Sequence, residues 1–165
     1  MSIVNRQLNS GFSLIEVLIA IVLVGLAIVS LIAANNSFTQ ANAAGRDLST
    51  AEFLIEQIRE LNTLLPVVDP NTGASTFGPE VGEALAGYDD LDDFDGASFS
   101  PPISSDRDVL SNFAAFGQQI TVENVSDTDF EEVVGDHSSS FVRITVKVFL
   151  NSKEISSTSW IRAGY

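Results

Sequence analysis

The chain has no cysteine, so no disulfide can staple the fold and no thiolate can serve as nucleophile or metal ligand. Its single histidine, His137, leaves no pair of imidazoles for a transition-metal site. Counting alone does not exclude a Ser-His-Asp triad, but His137 stands in a Ser-rich stretch typical of a surface loop. The glycines are scattered, and no G-x-x-x-x-G-K-[ST] phosphate loop occurs. Cations are scarce: Lys plus Arg total 8 against 22 Asp plus Glu, a formal net charge of −14. That balance repels phosphate backbones, and no local basic patch offsets it, so nucleic acid is not an expected partner. Proline is missing from everything before Pro66. These absences point away from an enzyme and toward a structural or binding role.

What is present is distributed unevenly. At 165 residues there is room for one domain and one membrane segment. Residues 12–34 read FSLIEVLIAIVLVGLAIVSLIAA, a run of 23. As a helix this is roughly 35 Å long, enough to cross a hydrocarbon core of about 30 Å. Arg6 on the near side, with no cation directly beyond the run, orients the N-terminus to the cytoplasm and sends the acidic remainder across. A secretory signal cut near Ala34 is an alternative, but its apolar region should be shorter, about 7–15 residues, and free of Glu16. A plain single-span anchor fits the length and leaves Glu16 unexplained. A third reading places Glu16 at the headgroup level. A carboxylate within the bilayer otherwise costs roughly 2.5–3.5 kcal/mol and marks a functional residue with a partner.

The segment Gly11-Phe12-Ser13-Leu14-Ile15-Glu16 resembles the type IV prepilin motif: Gly before a cut, an aromatic residue after it, and Glu fifth in the mature chain. The resemblance implies cleavage between Gly11 and Phe12 by a prepilin peptidase, with N-methylation of Phe12 by the same enzyme. It further implies assembly in which Glu16 pairs with the Phe12 amine of a neighbouring subunit. Such a pair in an apolar bundle punishes a missing partner and so sets register more than it adds stability.

Beyond the apolar run, Ala51, Leu54, Ile55, Ile58, Leu61 and Leu65 recur at helical steps, and Pro66 closes the pattern. The expectation is one helix over residues 12–65, its first half in the membrane and its second half seated on the protein's own sheet. Residues 66–113 lack sustained periodicity. Within them lies Asp89-Asp90-Leu91-Asp92-Asp93-Phe94-Asp95-Gly96, with five carboxylates in seven residues. Two readings stay open. One is a solvated acidic loop with Tyr88, Leu91 and Phe94 turned inward. The other is a Ca²⁺ site on Asp89, Asp90, Asp92, Asp93 and Asp95, because hard oxygen ligands suit that ion. The spacing is not that of an EF-hand. Residues 118–125 and 141–149 alternate, and residues 154–162 return as a more polar strand after a turn at 151–153. Three antiparallel strands are therefore expected, covered by the helix stripe, in an α+β, pilin-like head.

The D-D-x-D-D-[FY]-x-G element at residues 89–96, with the closing strand pair and the Arg162-containing tail, is similar to minor pilins of the mannose-sensitive haemagglutinin system, the MshD-like group. The expected organisation is a leader at residues 1–11, a membrane and assembly segment at 12–34, an amphipathic helix half at 35–65, and a head at 66–165. The function implied is a minor pilus subunit for adhesion or motility. A pseudopilin of a type II secretion system is the alternative, and an anchored receptor that never polymerises is a third. Expected partners are prepilin peptidase, other pilin subunits, the assembly machinery, and the inner membrane before assembly. The final location would be an extracellular pilus or a periplasmic pseudopilus.

Overall fold

The computed structural model describes residues 11–71, 73 and 76–164. Arg6 and the rest of the expected leader before Gly11 lie outside the described residues. One long helix, α1 (Leu14–Thr63), contributes to both of two compact units, Met1–Ala44 and Gly45–Tyr165.

In the first unit the apolar side chains of α1 are exposed all round the helix, from Leu14, Ile15 and Val17 to Leu31 and Ile32. A helix that is hydrophobic on every side is stable only in lipid or against other apolar helices. By length and composition α1 qualifies to cross a membrane.

In the second unit the pattern becomes one-sided. Ala51, Leu54, Ile55, Ile58 and Leu61 are buried, while Glu52, Glu56 and Glu60 stay outside. This spacing puts one stripe on one side of the helix, and full burial of each Leu or Ile contributes about 1.5–3 kcal/mol. The stripe packs on a sheet of four antiparallel strands in the order β1 (Ser98–Phe99), β2 (Phe116–Val125), β3 (Phe141–Leu150) and β4 (Lys153–Ala163). Along β3 the period-two pattern is realised: Val142, Ile144, Val146 and Val148 all face the core. Leu91, Phe94 and Ile103 join that core from the segment between α1 and β2.

The sheet has a fourth strand where three are expected, because β1 is only two residues long and too short to show alternation. It pairs with Gln118 and Gln119 of β2. Short 3₁₀ turns at Asp92–Phe94 and Ser111–Phe113 give further order to the stretch expected to be irregular. The β3–β4 turn is made by Asn151 and Ser152, both at positive φ (49° and 66°), the signature of a two-residue hairpin.

Polar side chains, Gln118 and Arg162 among them, also hold helix to sheet. Gln118, buried on the core face of β2, donates from Nε2 to the Leu54 carbonyl (2.8 Å), and its Oε1 accepts the Ile103 N–H (2.8 Å). Arg162 of β4 donates to the carbonyls of Asn62 (2.6 Å), Thr63 (3.2 Å) and Leu65 (3.1 Å). Those carbonyls lie at the helix end, where intrahelical donors run out and a cation is favoured. Pro66 disfavours helical geometry at Leu65, so α1 stops at Thr63, two residues before the expected end.

Candidate functional site

The first site is the start of α1. Gly11 and Phe12 precede the helix, and Phe12 is 89 % exposed. Among the described residues, nothing beyond its chain neighbours lies within 4 Å of the position a Cβ would take on Gly11. The Gly11–Phe12 bond therefore sits in exposed, non-helical chain, the backbone state a protease requires. Ser13 and Glu16 form a reciprocal cap: the Ser13 N–H donates to Glu16 Oε2 (2.7 Å) and the Glu16 N–H to Ser13 Oγ (3.3 Å). This S-x-x-E arrangement satisfies two donors that a helix start would leave orphaned. The spacing is readable in the sequence, but a reading of Glu16 as an assembly residue alone passes over it.

A short exposed segment thus feeds directly into an apolar helix whose first turn is capped by a glutamate. Residues 6–34 match the prokaryotic N-terminal methylation motif. This motif supports a type IV pilin-like or pseudopilin precursor, and its family is structural rather than catalytic. It implies processing by prepilin peptidase and assembly with other pilin subunits, and with the apolar helix it fits an inner-membrane-anchored pilin. No curated protein and no solved structure is similar to the chain at a significant level. The long helix on an antiparallel sheet is itself an α+β, pilin-like arrangement.

The second site is the acidic segment of the head. Asp90, Asp92 and Asp93 are not solvated: they are 1 %, 2 % and 1 % exposed. They are drawn inward because Leu91 and Phe94, on the same turn, are core residues. Asp90 Oδ1 accepts the N–H groups of Asp92 (3.0 Å) and Asp93 (3.2 Å), while Asp93 Oδ2 accepts those of Asp89 (2.9 Å) and Asp90 (3.3 Å). The two carboxylates thereby cap each other's turn. Asp95 serves the sheet instead, its Oδ1 accepting the Val122 N–H at 2.9 Å. Asp92 turns toward His137, whose Nε2 lies 3.4 Å from Asp92 Oδ2 and 2.8 Å from the Thr76 carbonyl. Asn71 donates to Asp89 Oδ2 at 3.0 Å.

Among the described residues, two groups bring carboxylate oxygens to within 4.8 Å of one another: Asp89, Asp90 and Asp93, and Glu80, Glu83 and Asp93. Of the five aspartates expected to act together, the structure gathers three and directs Asp92 and Asp95 elsewhere. It adds Glu80 and Glu83, which lie too far away in sequence to be recognised as members. The environment disfavours charge at Asp89, Asp90, Asp92 and Glu83. Burial and then the neighbouring Asp92 push Asp90 up to about 8, and burial pushes Asp92 up to about 6. Asp89 is raised by burial and then by the charges of Asp69, Asp93 and Glu80. Glu83 is raised chiefly by burial. Arg107 opposes this at Asp89, but its guanidinium is already donating to the carbonyls of Leu85, Ala86 and Tyr88.

Proposed function

We propose that this chain is a minor filament subunit of a type IV pilus. Prepilin peptidase cuts it between Gly11 and Phe12 and methylates Phe12. The apolar part of α1 holds it in the inner membrane, N-terminus toward the cytoplasm, until assembly. It then joins a filament through that same surface, with Glu16 answering a neighbour's Phe12 amine and the head on the exported side. The observation that carries this reading is the methylation motif opening directly onto the apolar first half of α1, whose side chains from Leu14 to Ile32 are exposed among the described residues. A helix in that state has two stable destinations, lipid before assembly and a bundle of like helices after it.

A minor subunit of the mannose-sensitive haemagglutinin kind is favoured by the Asp89–Gly96 element and by the closing strand pair, whose Arg162 locks the sheet onto α1. The test is location. Surface filaments sheared from the native cell should contain this chain at low ratio to the principal subunit, detected by mass spectrometry and by labelling of the head. Its absence from such filaments, together with recovery in a secretion pseudopilus, would overturn the pilus reading in favour of a type II secretion pseudopilin.

A further inference from the structure

The geometry points to a Ca²⁺ site in the head centred on Asp93, with Glu80, Glu83, Asp89 and Asp90 supplying the other carboxylate oxygens. Both close-set groups contain Asp93, so one side chain is common to all the oxygens gathered there. An independent observation marks it as a ligand. Asp93 is 1 % exposed, and its Oδ1, sealed from solvent, has no hydrogen-bond partner among the described residues. A buried carboxylate oxygen without a donor is costly, and a cation is the group that would satisfy it.

The donor set selects the ion. Every candidate ligand is an oxygen, there is no thiolate, and His137 belongs to Asp92 and Thr76. Hard oxygen donors suit Ca²⁺ or Mg²⁺ and not the softer transition metals. A set made up of several protein carboxylates suits Ca²⁺, which takes about six to eight oxygens in flexible geometry. It suits Mg²⁺ less well, since that ion keeps several waters and is bound through about one or two carboxylates. This site stands apart from the pilus reading, since the head would bind the ion in either kind of filament.

The experiment uses the full chain in detergent micelles, stripped with a chelator and then titrated with CaCl₂ or MgCl₂. Melting is followed by Trp160 fluorescence. Ca²⁺ at about a hundredfold over its Kd should raise the melting temperature by roughly 10 °C, saturably, with Mg²⁺ giving less. Asp93→Asn should melt at or above the parent in chelator, because it removes a repelling charge, yet show no Ca²⁺ response. Glu83→Gln should weaken the response at least tenfold in Ca²⁺ concentration and serves if Asp93→Asn fails to fold. Asp92→Asn, outside both groups, should keep the response. Identical melting with chelator and Ca²⁺ would overturn the proposal, as would a full Ca²⁺ response in Asp93→Asn or Glu83→Gln. The first result would leave a cluster that neutralises itself by holding protons, and the second would place the ion elsewhere in the head.

Discussion

Glu16→Gln is expected to be cleaved and methylated normally and yet to be lost from filaments, at least tenfold below the parent. Glu16 has two roles that Glu16→Ala would remove together. Within its own chain it caps the start of α1, accepting the Ser13 N–H at 2.7 Å. Between chains, by the proposal above, its charge answers the Phe12 amine created by cleavage. Gln is as good as Glu in the reciprocal cap, so Glu16→Gln keeps the first role and deletes the second. An uncompensated amine in an apolar bundle then costs several kcal/mol, whereas a lost cap costs about 1 kcal/mol. Both variants should therefore fail alike. Normal incorporation of Glu16→Gln beside a defective Glu16→Ala would make the cap, not the pairing, the function of this residue.

The second large effect is on the head. Arg162→Met should lower stability by roughly 2–4 kcal/mol, because three carbonyls at the end of α1 lose a charged donor while the aliphatic stem is retained. For a chain of this size the fall in melting temperature is on the order of 10 °C. Arg162→Lys should recover part of it, since an ammonium lacks the fork that reaches several carbonyls at once. Trp160 lies two residues away on β4, stacked under Arg59 at 4.8 Å, so its fluorescence reports this contact. Melting of Arg162→Met within about a degree of the parent would show that the helix end is held by other means.

How far the sequence reveals this structure depends on the range of each interaction. The apolar run, the stripe from Ala51 to Leu61 and the alternation from Val142 to Val148 are local periodicities, and each becomes the element its period implies. Pro66 and the Asn151–Ser152 turn act through their own backbones and are equally readable. The residues that escape are those whose partners lie far along the chain. Gln118 reaches Leu54, Arg162 reaches the end of α1, and Glu80 and Glu83 meet Asp93 through a fold of the intervening segment. Acidic residues 89–95 look alike in sequence but diverge in space. Leu91 and Phe94 must be buried, and the pitch of the 3₁₀ turn then sends Asp90 and Asp93 inward together while Asp95 reaches the sheet.

Everything on the filament side depends on the chain being cut at one bond. The direct measurement is the N-terminal mass of the protein recovered from membranes, with and without prepilin peptidase co-expressed. With the enzyme, the chain should begin at Phe12 and carry one methyl group on its amine; without it, residues 1–11 should remain. A chain that retains those residues in the presence of active peptidase would contradict the reading outright and leave a membrane-anchored head that does not polymerise.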